Sequence, residues 1–155
     1  HHATPLISIF GGKLTTHRIL AEDTANMLMP FFSQMTGNWT ANTPYPGGDF
    51  TDLSKTELID ELSKQLPELN HQILARYVAM YGTEARQLLV NKQCIADLGQ
   101  HFGAGLYAHE INYLIEHEWA HTTEDILWRR SKLGLFLSRQ QIAQVDVFVQ
   151  QATTA

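Results

Sequence analysis

Cysteine is nearly missing from this chain: Cys94 stands alone. That excludes an intrachain disulfide framework and fits a reducing, cytosolic setting. Basic residues are also scarce. Eleven Lys and Arg face sixteen Asp and Glu, giving a formal net charge of −5. Binding to a phosphate backbone needs concentrated Lys and Arg, so no nucleic-acid partner is expected. No apolar run approaches the roughly 18 residues of a membrane-spanning helix, and no signal peptide, internal repeat or low-complexity segment is visible. His1 and His2 read as the end of an expression tag and are set aside from any metal argument. What is present is a chain of 155 residues, 44% hydrophobic, long enough and apolar enough for one ordinary core.

The most informative stretch is residues 4–18, TPLISIFGGKLTTHR. A short β-rich run breaks at Gly11 and Gly12 and is followed by Lys13, Leu14, Thr15, Thr16 and an amphipathic helix. Glycine lets a ligand approach the main chain where a Cβ would stand in the way. The N–H groups at the start of a helix lack intrahelical partners and carry the positive end of the helix dipole. Lys13 adds a cation there. The segment therefore predicts an anionic or electron-rich ligand close to Gly11 and Gly12, although a plain strand-to-helix turn would also use glycine.

Downstream, the pattern is helical almost throughout. Leu20, Thr24, Met27, Leu28 and Phe31 share one helical face, with Pro30 bending or ending that helix. Pro44, Pro46, Gly47 and Gly48 make residues 37–52 a linker. Ser54 and Glu57 form a capping-box signature opening a helix that carries Leu58, Ile59, Leu62 and Leu66 and stops at Pro67. Ile73, Leu74, Tyr77, Val78 and Tyr81 line the next helix, with Gly82 as its cap and a short helix from Thr83 carrying Leu88 and Leu89. Gly99, Gly103 and Gly105 interrupt the pattern. A helix over residues 106–120 places Ile111, Leu114, Ile115 and Trp119 on one face. A shorter one starts at Thr123, and a last one, opened by Ser138 and Gln141, buries Ile142, Val145 and Val149. These stripes read as core.

Two segments carry a family likeness. IFGGKLTTHR, at residues 9–18, resembles the segment that closes the flavin-binding domain of the FAD-dependent, quinone-linked glycerol-3-phosphate dehydrogenases. DILWRRSKLGL, at residues 125–135, resembles the D-x-L-x-R-R-(S/T)-x-x-G pattern of that family's C-terminal helical domain, and EINYLIEHEW, at residues 110–119, is similar to the helix before it. His17 stands where an aromatic Tyr is common in the family.

The resemblance implies a mainly α fold: the last strand and helix of a flavin-binding α/β domain over residues 1–36, the linker, then an all-helical C-terminal domain over 53–155. The glycine-rich dinucleotide fingerprint that such an enzyme requires is missing, so the chain is expected to be a fragment. The resemblance further implies FAD as cofactor, held in part by Gly11, Gly12, Lys13, Leu14 and Thr15. The N–H groups would face the pyrimidine edge of the flavin ring, Lys13 would reach the flavin edge or the substrate phosphate, and Leu14 would pack inward. Implied partners are the missing N-terminal FAD-binding domain, sn-glycerol 3-phosphate, a membrane quinone and, as a homodimer, a second copy of the chain. The full-length protein would lie on the cytoplasmic face of the membrane. The chain alone is expected neither to retain FAD nor to oxidise substrate.

One motif competes. His117, Glu118 and His121 spell H-E-W-A-H, the H-E-x-x-H pattern of zinc peptidases, in which two imidazoles four residues apart on a helix face one metal. The usual third ligand is missing, and only Asp146 offers one. Arg129, Arg130 and Lys132 form the one compact basic cluster. Asp125 precedes Arg129 by four residues, a spacing that reads as a local ion pair. The resemblance gives these arginines a role in pinning the C-terminal helices to one another or to the flavin domain. Three classes of function are thus carried forward: a non-catalytic C-terminal module of a flavin dehydrogenase, a small zinc hydrolase, and a helical interaction domain.

Overall fold

The structure, a computed structural model, describes residues 4–154; His1 and His2, read as a tag remnant, lie outside them. The chain divides into two compact units, His1–Tyr45 and Pro46–Ala155.

In the first unit, residues 4–13 form neither strand nor helix. The expected terminal strand is not formed by residues 4–13, because a strand needs a hydrogen-bonded neighbour and the described residues of this unit supply no other strand. A single 3-10 turn, Leu14–Thr16, leads into helix α1, His17–Leu28. Pro30 sits in the 3-10 turn Met29–Phe31 that follows, where a missing N–H does no harm. No described residue of this unit is fully buried. The expected stripe on α1 is open to solvent at Met27 and, beyond it, at Phe31.

The second unit has a continuous core. The Ser54 hydroxyl accepts the Glu57 N–H at 3.2 Å while the Glu57 carboxylate accepts the Ser54 N–H at 2.8 Å, closing the expected capping box on helix α2, Lys55–Gln65. The Ser54 hydroxyl, with a weaker contribution from desolvation opposing it, holds the Glu57 carboxyl below its usual range. Ser54→Ala should lower the stability of this unit by about 1 kcal/mol, measured as a shift in the urea midpoint with an unchanged slope. Asn70 caps helix α3, His71–Tyr81, by accepting the Gln72 N–H at 2.7 Å. Leu58 and Leu62 of α2 pack with Leu74, Tyr77 and Val78 of α3, all nearly free of solvent.

Gly82 ends α3 with φ +57°. The space where its Cβ would stand is occupied by a residue assigned from sequence to the linker, Gly47, whose carbonyl accepts the Thr83 N–H at 3.0 Å. The stretch from Pro46 onward is therefore built into the second unit. A turn of 3-10 helix, Gly82–Glu84, continues into the short helix α4, Ala85–Leu88, which buries Leu88 with the following Leu89.

The glycine-rich stretch after Gly99 is a small hairpin. Strand β1, His101–Gly103, pairs antiparallel with β2, Leu106–Tyr107. Ala104 and Gly105 form the two-residue connection, both with positive φ, the geometry that matches the twist of a tight hairpin. Phe102 and Leu106 reach the core, and Phe102 meets Phe148 edge-on at 5.4 Å.

Helix α5, Ala108–His117, buries Ile111 and Leu114. It is shorter than expected at both ends: β2 takes its start, and Trp119, with φ +52°, turns the chain out of the helix so that its side chain is 82% exposed instead of buried. A π-helical segment, Asp125–Arg130, follows and buries Ile126 and Leu127. Its widened turn shows in the Ser131 N–H reaching back five residues to the Ile126 carbonyl at 3.0 Å. The last helix, α6, Arg139–Thr154, buries Val145 and Val149, with Ile142 at the core's edge. No helix among the described residues is long and apolar enough to cross a membrane.

Candidate functional site: the Gly11–Thr16 turn

The candidate residues are contiguous and exposed at the start of α1. Gly11 has φ +80°, a backbone state that L side chains rarely adopt, and a Cβ built on it would meet nothing within 4 Å. The main chain there is open from the outside. Lys13 has extended backbone, φ −113° and ψ 128°, and its carbonyl accepts the Thr16 N–H at 2.9 Å and the Thr16 hydroxyl at 3.2 Å. Thr16 occupies the N-cap position of α1 without capping it through its side chain. Among the described residues, no protein acceptor takes the N–H groups of Gly12, Lys13, Leu14 or Thr15. Four successive donors therefore line one exposed turn next to a lysine. Leu14, expected to pack inward, is 86% exposed. It has no core to enter, since none of the described residues of this unit is buried.

His17 fixes the other end of the turn. Its Nδ1 lies 2.6 Å from the Leu14 carbonyl, which can only accept, so Nδ1 carries the proton. In the neutral ring Nε2 is then an acceptor, and the Tyr45 hydroxyl donates to it at 2.6 Å. The two rings stack with centroids 6.1 Å apart. Behind them, Arg18 pairs with Glu22 at 3.0 Å and donates to the Thr40 hydroxyl at 3.1 Å, while Thr40 donates to Glu22 at 2.5 Å. The Thr40 hydroxyl and the Arg18 guanidinium hold the Glu22 carboxyl below its usual range. Sequence reasoning missed these supports, because Thr40 and Tyr45 lie in a stretch read only as a linker.

The zinc arrangement does not form. An H-E-x-x-H site needs one uninterrupted helix, but α5 ends at His117 and the chain reverses at Trp119, leaving His121 outside it. His117 packs its ring against Tyr113, 4.7 Å between centroids, and Asp146 accepts from the Thr123 hydroxyl at 2.7 Å and from the Gln150 amide at 2.9 Å. Among the described residues no three His, Cys, Asp or Glu side chains are placed to share a metal.

The basic cluster is structural. Arg129 pairs with Asp125 at 2.8 Å and with Glu124 at 3.0 Å, and Arg130 donates to the Glu118 carbonyl at 2.9 Å, tying the π-helical segment to the end of α5. Lys132 donates to the Trp128 carbonyl. The Asp125 carboxyl, which accepts the N–H groups of His121 and Thr122 and the Thr122 hydroxyl, is held well below its usual range by those bonds and by Arg129.

A second constellation had no signal in the sequence. Glu110 is fully buried and takes both terminal nitrogens of Arg76, each at 2.6 Å, together with the Tyr81 hydroxyl at 2.8 Å. Arg76 also donates to the Gly105 carbonyl at 2.8 Å, clasping the hairpin tip to α3. Burial followed by the Glu110 charge pushes the Tyr81 and Tyr77 hydroxyls far above their ordinary range, so both remain protonated. The Arg76 plane lies 4.6 Å over the Tyr77 ring.

Residues 38–153 match the family model described as the C-terminal domain of alpha-glycerophosphate oxidase. The chain belongs to this family. It is 47% identical over 146 residues to a glycerol-3-phosphate dehydrogenase of Pseudomonas aeruginosa, covering 94% of this chain and 28% of that protein. It is 36% identical over 149 residues to the aerobic glycerol-3-phosphate dehydrogenase of Escherichia coli, covering 96% and 30%. It is 37% identical over 139 residues to a D-erythritol 1-phosphate dehydrogenase of Brucella abortus, covering 90% and 28%. The chain thus spans less than a third of the length of these relatives.

Proposed function

We propose that the chain is the C-terminal part of an FAD-dependent glycerol-3-phosphate dehydrogenase that oxidises sn-glycerol 3-phosphate to dihydroxyacetone phosphate and passes the electrons to quinone. The observation that carries this reading is the run of unpartnered N–H groups from Gly12 to Thr15 on a turn opened by Gly11. Donors of this kind, beside Lys13, suit an electron-rich ring edge whose negative charge grows on reduction. FAD, when bound, accepts the hydride from substrate. The residues present fit such a group: the main chain is approachable, its donors are free of protein acceptors, and nothing acidic precedes them in the described segment.

The part played by this chain is positional. The Gly12–Thr15 amides orient and polarise the ring edge, and Lys13 holds either that edge or the substrate phosphate. His17, locked by Tyr45, keeps the turn's shape. Leu6, Phe10 and Leu14, each more than 85% exposed, supply an apolar surface that the N-terminal FAD-binding domain covers in the full-length protein. The helical unit from Pro46 onward carries no reacting group and stabilises the enzyme or docks a partner, a second copy included. The full-length protein works as a peripheral enzyme on the cytoplasmic face of the membrane.

The test uses the full-length protein, with bound flavin read by its visible absorbance and turnover read by substrate-dependent reduction of a soluble quinone analogue. Wild type should copurify with FAD and oxidise glycerol 3-phosphate, Gly12→Val should lose most of the flavin, and Lys13→Ala should lose about tenfold in kcat/KM, about 1.4 kcal/mol. The 155-residue chain should do neither. A full-length protein without flavin, or a Gly12→Val variant that binds it normally, sinks the reading.

A further inference from the structure

The π-helical segment and the 3-10 turn after it, Leu133–Leu135, present large apolar side chains outward. Leu135 and Phe136 are 70% and 73% exposed, Trp128 is partly exposed, and Trp119 stands open just before the segment. These residues are held in place. A Cβ on Gly134 would stand 2.6–2.9 Å from the Trp128 ring, so that ring packs directly on the main chain of the turn. Arg130 keeps Trp119 beside the segment, its guanidinium donating to the Glu118 and Trp119 carbonyls at 2.9 and 3.4 Å. Lys132 enters the turn at φ +58° and Trp119 leaves α5 at φ +52°, a backbone state that is an outlier for a residue as bulky as tryptophan. Core packing does not explain that strain, since the indole it positions stays in water. Strained residues collect at functional surfaces, and an apolar patch on a unit with a complete core marks a place where something docks.

We propose that this face docks the part of the full-length polypeptide that lies outside these 155 residues, against an uncharged, apolar surface of that part. The polypeptide to supply it exists in the relatives: the chain covers 28% and 30% of the Pseudomonas aeruginosa and Escherichia coli proteins, so most of their length lies outside it. A partner on the same polypeptide is held at an effective concentration on the order of millimolar, so a small patch suffices. Separate molecules need roughly 800 Å² on each side for a stable complex, which disfavours a second copy. Charge disfavours a membrane surface. Arg129 is paired with Asp125 and Glu124, Arg130 is turned to main-chain carbonyls, and Lys132 donates to the Trp128 carbonyl, so the cations around the patch are already engaged. An anionic lipid headgroup finds little positive charge there. The proposal rests on the reading that the chain is part of a longer dehydrogenase, and not on its flavin.

The test is hydroxyl-radical footprinting, read by mass spectrometry, of the full-length protein and of the 155-residue chain. In the full-length protein Phe136 should be oxidised at least fivefold more slowly than in the 155-residue chain, approaching the rate of Phe102, which the core already buries. The protection should hold at two protein concentrations about a hundredfold apart and before any vesicle is added. Phe136→Asp places a charge in the contact and should raise Trp119 oxidation in the full-length protein at least threefold, while leaving it unchanged in the 155-residue chain, where that ring is already open. Protection lost on dilution assigns the face to a second copy, and protection gained only with phosphatidylglycerol vesicles assigns it to a membrane. Phe136 equally reactive in both proteins shows the face uncovered, and each of these three results overturns the proposal. A full-length protein that lacks flavin yet shields Phe136 refutes the flavin reading alone.

Discussion

Glu110→Ala lowers the stability of the Pro46–Ala155 unit by about 3–5 kcal/mol, because it strands the Arg76 guanidinium in the protein interior without its countercharge. The two 2.6 Å bonds to Arg76 and the 2.8 Å bond from Tyr81 are lost together. The Gly105 carbonyl remains the main acceptor for Arg76, and it cannot neutralise a full charge. The expected readout is a large drop in the urea midpoint, or a chain recovered only in aggregates. A double variant distinguishes a stranded charge from simple loss of packing. Arg76→Met with Glu110→Leu removes both charges and keeps the volume, and should recover most of the lost stability, since a buried ion pair replaced by apolar groups is often neutral. If Glu110→Ala folds with wild-type stability, the network does not hold the hairpin to α3.

Gly82→Ala is the second large effect. A Cβ at this position would stand 1.8 Å from the Gly47 carbonyl oxygen and 2.7 Å from its carbon, and the backbone is at φ +57°. The neighbour is main chain, which cannot swing aside as a side chain would. The strained backbone alone is worth about 1–3 kcal/mol, and the overlap forces Gly47 away from the Thr83 N–H that it accepts at 3.0 Å. We expect a loss of at least about 3 kcal/mol, on the scale of a serious core defect. Gly37→Ala is the control: nothing lies within 4 Å of its Cβ and its φ is ordinary, so it should shift stability by no more than about 0.5 kcal/mol. Equal midpoints for the two variants would show that Gly47 and Gly82 do not meet.

Local signals read well wherever the cause was local. The Ser54–Glu57 box, the Gly82 cap and the Asp125–Arg129 pair each depend on residues within a turn of one another, and each formed as expected. The stripes on α2 and α3 reached the core for the same reason: helical spacing puts those side chains on one face whatever the partner. Trp119 shows the limit. Its spacing from Ile111 and Ile115 is helical, but one residue of positive φ ends the helix before it, and nothing in the local composition announces that reversal. H-E-W-A-H fails at the same residue.

Sequence by itself determined the mainly helical class, the capping chemistry, the glycine-opened turn at Gly11 and the family, because these rest on spacing and residue type along a short stretch of chain. Tertiary structure alone decided that Arg76 and Glu110, 34 residues apart, would meet, that Gly47 would press against Gly82, and that residues 101–107 would fold into a hairpin whose Tyr107 lines a cavity. Such contacts join segments remote in sequence, and their energy comes from burial and from charges deprived of water, neither of which exists until the chain has folded around them.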